Sequence, residues 1–249
     1  MVAISQSQQK LAQSLKLKKY RQKHGLFLAE GAKIVQELLS SQYQVHKLYA
    51  TLDWFQENQA AIAAKKIDCQ IINERELKKV SQLSTANAAV ALVLSQNHDL
   101  PKLCSGKSLL LDGLQDPGNL GTIIRIADWF GIDRIIGSMT SADPFQPKVV
   151  QATMGSLFRV KYYRSNIEEF IEQHSELPCY AADLDGVNLH EIAFSEKEHG
   201  LLVIGNESRG VSGTVRDLVG TRVTIPGRGK AESLNAGVAT GIICAFWCK

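Results

Sequence analysis

The 249-residue sequence is short of the features that mark several common protein classes. Apolar runs such as "AVALVL" and "LLVI" fall far below the roughly 20 residues needed to cross a bilayer, so no membrane span is expected. The opening stretch, "MVAISQSQQKLAQSLKLKK", has no apolar core followed by a small-residue cleavage site. A secretory signal is therefore not expected, and the cytoplasm is the expected location. The five cysteines (Cys69, Cys104, Cys179, Cys244, Cys248) are odd in number and scattered, with no CxxC and no His in metal-ligand spacing. This pattern points to reduced thiols and to no metal site; Cys244 and Cys248, four apart on an expected helix, read as core packing. Gly113, Gly118 and Gly121 have the wrong spacing for a dinucleotide fingerprint, and the acid expected about 20 residues later is missing. No Walker-type loop and no Ser-His-Asp arrangement is visible.

The charge that is present is unevenly placed. The whole chain carries a formal +3, but residues 1–100 hold 13 Lys+Arg against 8 Asp+Glu, and residues 101–249 hold 15 against 17. Lys10, Lys16, Lys18, Lys19, Arg21 and Lys23 all precede the first acid, Glu30. Such a block suits a surface that meets a polyanion, and equally a solvated helix face.

Hydrophobic periodicity divides the chain into two α/β parts. In the first, residues 1–100, "SQQKLAQSLKLKKYRQ" reads as a basic helix burying Leu11 and Leu15, and "AEGAKIVQELLSS" as an amphipathic helix. Short strands "HKLYAT", "CQIIN" and "AAVALVLS" alternate with further helices. A polar stretch with Pro and Gly, residues 96–107, reads as the linker. In the second part, residues 101–249, the strands "SLLLDGL", "RIIG", "CYAADL", "LLVIGN" and "RVTIPG" are continuous apolar runs. Runs of that kind between helices predict a parallel sheet covered on both faces, with ligands outside the carboxyl ends of its strands.

Three strand exits carry candidate chemistry. In "LQDPGNLGTIIRIADWFG", Asp116-Pro117-Gly118 turns the chain, Asn119 reads as a helix N-cap, and Ile123, Ile126, Ala127 and Phe130 form the buried stripe. Arg125 falls off that stripe and leans back toward the loop. A cation at the positive end of a helix calls for an anion shared by both, either a phosphate or a carboxylate such as Glu207. In "LLVIGNESRGVS" a buried strand ends at Gly205, followed by Asn206, Glu207 and Ser208, with Gly205 free to let a ligand approach the backbone. In "VTIPGRGKAESLNAGVATGIICAFW" the strand ends at Ile225-Pro226, a glycine-rich basic loop follows, and Ser233 reads as the N-cap of the last helix. Gly237 and Gly241 on that helix permit close helix packing, including across a dimer.

Taken in this order, the three loops resemble the signature motifs of the SpoU family of RNA ribose 2′-O-methyltransferases, in the TrmH/RlmB group of the SPOUT superfamily. Asn119, Gly121 and Arg125 match the first motif; Gly205, Glu207 and Gly210 the second; Ile225, Pro226, Glu232, Ser233, Leu234 and Asn235 the third. "FLAEGAKIVQELL" is also similar to the family's N-terminal RNA-binding domain. The resemblance implies a small α/β substrate-binding domain at 1–100 and a parallel-sheet α/β domain at 101–249 with a deep trefoil knot. It implies S-adenosylmethionine as methyl donor, bound by Gly205, Asn206, Ile225, Pro226 and Leu234, with no metal, and a homodimer formed through the knotted domain. Arg125 would act on the ribose hydroxyl beside an RNA phosphate, with Asn119, Glu207, Ser233 and Asn235 in the catalytic set. Lys16, Lys18, Lys19, Arg21 and Lys23 would meet RNA, ribosomal or transfer. A non-catalytic RNA-binding protein keeping the same fold is the alternative.

Overall fold

A computed structural model of the chain describes residues 3–96, 98, 100, 106–194 and 199–249. Its elements run α1 Gln6–Ser14, α2 Lys18–His24, β1 Leu26–Glu30, α3 Ala32–Leu39, β2 Val45–Ala50, α4 Leu52–Ala64, β3 Cys69–Ile71, α5 Glu74–Val80 and β4 Ala89–Leu94. They continue with β5 Lys107–Leu111, α6 Pro117–Trp129, β6 Arg134–Gly137, α7 Pro147–Thr153, β7 Lys161–Arg164, α8 Ile167–Gln173, β8 Cys179–Asn188, β9 Gly200–Ile204, α9 Gly213–Leu218, β10 Thr221–Thr224 and α10 Ala236–Trp247. The expected linker at 96–107 lies mostly outside the described residues, as does Cys104. The other four cysteines are free thiols. No described helix is long and apolar enough to cross a membrane.

The fold divides into two units: Met1–Gln96 with Asp143–Arg159, and Asn97–Ala142 with Val160–Lys249. The first is built on a four-stranded mixed sheet ordered β1-β4-β2-β3, in which β4 runs antiparallel to both β1 and β2. The segment 143–159 belongs here by packing. Phe145 stacks on Phe27 at 4.7 Å, Phe158 meets Tyr43 edge-on at 5.3 Å, and Arg159 pairs with Glu37.

The basic stretch expected to form one N-terminal helix forms two. Arg21 donates one guanidinium nitrogen to the carbonyls of Leu15 and Lys16, both at 2.9 Å. A continuous helix would direct those carbonyls to amides one turn on, so the chain breaks between α1 and α2. Strand β1 is not foreseeable from periodicity, because "LFLAE" is a fully buried run too short to separate strand from helix. Helix α7 and strand β7 are likewise additions to the expected elements.

The second unit is a six-stranded, wholly parallel sheet ordered β10-β8-β9-β5-β6-β7. Continuous apolar runs do form its buried centre: Leu109, Leu110 and Leu111 of β5 and Leu201, Leu202 and Val203 of β9 are fully buried. Helices α8 and α9 pack together, and α10 packs on α6. Strand β8 is longer than its apolar run and shifts register against β10. At Gly186 a Cβ would lie 2.6 Å from the Arg222 and Val223 backbone, so only glycine fits that approach.

Candidate active site

All three motif loops leave the sheet at the carboxyl ends of their strands, after β5, β9 and β10. The first opens α6, whose N-cap is Asp116 rather than Asn119: the Asp116 carboxylate accepts from the Asn119 amide at 2.8 Å, with Pro117 next in line. Asn119 therefore sits in the first turn with its side chain free for other work. Arg125 follows eight residues after Pro117. Its backbone is therefore more than one turn in from the helix end. Its side chain is exposed and has no hydrogen bond or ion pair among the described residues.

Glu207 does not pair with Arg125. Its two carboxylate oxygens accept from the backbone amides of Gln115 at 3.2 Å and Asp116 at 2.9 Å, and from the Asn119 side-chain amide at 3.1 Å. The Asn119 carbonyl oxygen in turn accepts from the Asn235 side-chain amide at 2.7 Å. Asn235 uses its own oxygen to cap α10, taking the Gly237 and Val238 amides at 3.0 and 3.2 Å. The N-cap is thus Asn235, not Ser233, which is exposed and unbonded among the described residues. One chain of hydrogen bonds, Glu207 to Asn119 to Asn235, joins the three motifs. Partial burial pushes the Glu207 carboxyl up, but the Asn119 and backbone donors outweigh it and hold the group below its ordinary 4.5.

The Glu207 loop is a tight turn closed by paired bonds between Asn206 and Gly210, both 2.9 Å. Asn206 also donates to the Gly113 carbonyl at 2.8 Å and accepts from Ser208 and Arg209. At Gly205 a Cβ would stand 2.2 Å from the Gly210 carbonyl carbon. The close approach expected there is made by the chain itself. Ile225 is half-buried, whereas Pro226 and Leu234 are exposed, and residues 226–234 make no hydrogen bond among the described residues.

Gly237 and Gly241 face α6 of the same chain. A Cβ at Gly237 would meet Thr122 at 2.8 Å, and one at Gly241 would meet Ile126 at 3.5 Å. They serve internal packing, so they carry no argument for a dimer. Arg21 also departs from expectation. It is 5 % exposed and bound to Asp143 at 2.6 Å, whereas Lys16, Lys18, Lys19 and Lys23 are exposed.

A fourth exit, after β6, adds residues that the sequence motifs do not include. Arg164 donates to the carbonyls of Ser138, Met139, Ser141 and Ala142, and the Ser138 hydroxyl accepts from the Gly113 amide at 3.0 Å. This loop braces the turn that precedes α6. Its only sequence signal is a cluster of small polar residues at a strand exit. A cavity of about 440 Å³ in this unit, lined in part by His174, Cys179 and Thr221, lies at the opposite end of the strands, where β8 and β10 begin. Burial pushes the Cys179 thiol up to about 12, which leaves it unreactive. No cluster of three or more His, Cys, Asp or Glu suited to a metal occurs among the described residues.

The chain is similar to known RNA methyltransferases along most of its length. The chain is 30 % identical over 236 residues to the 23S rRNA (guanosine(2553)-2′-O)-methyltransferase RlmP of Bacillus subtilis, covering 92 % of this chain and 91 % of that protein. The structure of the AdoMet-bound rRNA methyltransferase from Sinorhizobium meliloti superposes with a TM-score of 0.88 at 29 % identity, over 99 % of this chain and 96 % of the other. The SpoU methyltransferase AviRb from Streptomyces viridochromogenes, in complex with AdoMet, gives 0.84 at 25 % identity, over 98 % and 97 %. Residues 7–91 match the MRM3-like substrate binding domain. Residues 107–245, which include all three hydrogen-bonded motif loops, match the SpoU rRNA Methylase family, and the chain belongs to that family.

Proposed function

We propose that this protein transfers the methyl group of S-adenosylmethionine to a ribose 2′-hydroxyl of structured RNA, with ribosomal RNA as the substrate. The observation that carries this reading is the Glu207-Asn119-Asn235 chain of bonds, which joins three loops at the carboxyl ends of the strands, the first of them opening the helix that also carries Arg125, an arginine with no partner among the described residues. The relatives support the substrate class: the Bacillus protein is named for 2′-O-methylation of 23S rRNA.

The residues present suit the cofactor. Ile225, Pro226 and Leu234 offer apolar surface at the carboxyl end of the sheet, and residues 226–234 have backbone donors and acceptors not used within the described chain. With Gly205 and Asn206 these would hold S-adenosylmethionine, which when bound supplies a sulfonium-activated methyl group. The chain's own task is then to present the hydroxyl. An arginine with a pKa above about 12 is a poor base, so Arg125 orients the hydroxyl and an adjoining phosphate and stabilises the negative charge that develops on the oxygen. Asn119 and Glu207 fix the loop that leads to it, Asn235 fixes the start of α10, and Ser233, with an unused hydroxyl, faces substrate. Lys16, Lys18, Lys19 and Lys23 bind phosphates from the N-terminal unit.

We further propose the knotted topology and a homodimer, in the cytoplasm with the RNA it modifies. The face for the second copy would include Trp129 of α6 and Val238 of α10, large apolar side chains that are 84 % and 51 % exposed. The experiment that tests the activity is transfer of radiolabelled methyl to unmodified ribosomal and transfer RNA, with Arg125→Ala alongside, followed by nucleoside analysis. A 2′-O-methylated nucleoside from wild type and not from the variant is expected. Equal transfer by the variant, with cofactor binding intact, removes Arg125 from the chemistry, and absence of transfer by wild type to either RNA rejects the activity.

A further inference from the structure

The catalytic unit holds seven arginines, and four of them have partners inside the fold. Arg134 lies beside Asp133 at 3.9 Å, and Arg164 clamps the carbonyls of the β6 exit. Arg216 and Arg222 converge on the buried Asp183 at 3.0 and 3.8 Å. The remaining three, Arg125, Arg209 and Arg228, are exposed and have no hydrogen bond from their side chains and no ion pair among the described residues.

These three are not scattered. One lies on α6 after the first motif loop, one at the tip of the second loop and one in the third. The loops themselves are held together by Glu207, Asn119 and Asn235. Elsewhere in the unit each guanidinium is answered by a carboxylate or by carbonyls. Here the one glutamate of the second loop is spent on backbone amides and Asn119, two residues before Arg209. Later in the third loop, Lys230 and Glu232 are of opposite sign, so they do not change the balance. Three cations carried on loops joined by these bonds, with no anion of the chain answering them among the described residues, repel one another by an amount that depends on their separation and on screening. A polyanion reverses that sign. Each phosphate that an arginine neutralises also releases condensed counterions, and the planar guanidinium fork suits phosphate oxygens. The two new residues are also mounted differently. Arg209 sits on a turn whose base is pinned, whereas Arg228 lies between Gly227 and Gly229, both in open space.

We infer that Arg209 and Arg228 are phosphate-binding residues that grip the substrate backbone beside the nucleotide presented to Arg125, and so govern RNA binding rather than the chemical step. This rests on the RNA reading above. The test is the Arg209→Ala/Arg228→Ala double variant in the full-length protein. Binding of a short fluorescein-labelled single-stranded RNA is followed by anisotropy across a salt series, and methyl transfer to unmodified ribosomal RNA is followed in parallel. The slope of log affinity against log salt becomes shallower by about 1.4, about 0.7 for each phosphate no longer neutralised. The KM for RNA rises about tenfold with kcat held within about twofold, a pattern distinct from weakened transition-state stabilisation. Lysine at both positions restores the slope. Lys161→Ala, an exposed cation at the start of β7 and so at the other end of the strands, leaves it unaltered. An unchanged slope and KM in the double variant overturns the inference, as does a kcat loss with KM unmoved. If wild type transfers methyl and the slope holds, this inference alone fails; if wild type transfers none yet the slope falls, the phosphate grip stands and the activity fails.

Discussion

Arg21 on α2, in a basic stretch, and Arg125 on α6, in an apolar one, are both helical cations read from the sequence as facing RNA. Their structural positions are opposite. Arg21 is 5 % exposed, paired with Asp143 and bonded to two carbonyls that a longer helix would have used. Arg125 is exposed and bonded to nothing among the described residues. The difference teaches that an arginine's role depends on the acceptors the fold supplies, and the acceptor of Arg21 lies 122 residues away in sequence.

Four substitutions would sharpen or break this contrast. The largest effect is expected for Arg125→Ala. Loss of a charge-stabilising donor lowers kcat by about 10³-fold, or ~4 kcal/mol, while the thermal midpoint stays where it was. A fall in the midpoint comparable to that of a core mutation would place Arg125 with Arg21 as a structural residue. Next comes Arg21→Ala, which leaves Asp143 without its partner and costs about 3 kcal/mol of stability. Denaturant unfolding measures it, and an undiminished salt dependence of RNA binding should accompany it. A shallower slope would return Arg21 to the RNA surface.

Smaller effects come from the bonds between the motifs. Asn235→Ala removes the cap of α10 and is expected to cost about 1 kcal/mol, with a drop in turnover because Asn119 loses its anchor. Turnover that is unchanged while stability falls would reduce the inter-motif bond to ordinary capping. The smallest concerns Glu207, whose carboxyl is held below 4.5 in the folded protein. A depressed folded value stabilises the charged, folded form above the unfolded value and is lost as pH falls through the folded value. The gap in thermal midpoint between wild type and Glu207→Gln should therefore be full near neutrality and close below about pH 4.5. A gap that persists at lower pH would mean that the amide donors do not depend on the charge.

The parallel sheet was legible because β5 and β9 are unbroken apolar runs that no half-exposed strand would carry. The motif residues were legible as a set because their order along the chain is distinctive. Their individual duties were less so. Asp116 and Asn119 both suit an N-cap, as do Ser233 and Asn235, and only the geometry decides between neighbours of equal propensity. The glycines were legible in kind but not in partner: small residues signal close approach, and at Gly237 the partner is Thr122 on α6 of the same chain. Arg209 and Arg228 carried no signal, because being unpartnered is a property of the folded surroundings.

The segment 143–159 gives the chain a further property. It is contiguous with β6 and β7 of the catalytic sheet, yet it packs its aromatic residues into the N-terminal unit. The polypeptide therefore passes between the units three times, after Gln96, Ala142 and Arg159, rather than once. A fragment cut near residue 100 would not be a free-standing enzyme half: Phe145 and Phe158 would lose the rings they rest on. Loss of the N-terminal unit would also turn the β6–β7 crossover into a loose loop inside the sheet. Unfolding of the N-terminal unit thus also frees the segment that links two adjacent strands of the catalytic sheet.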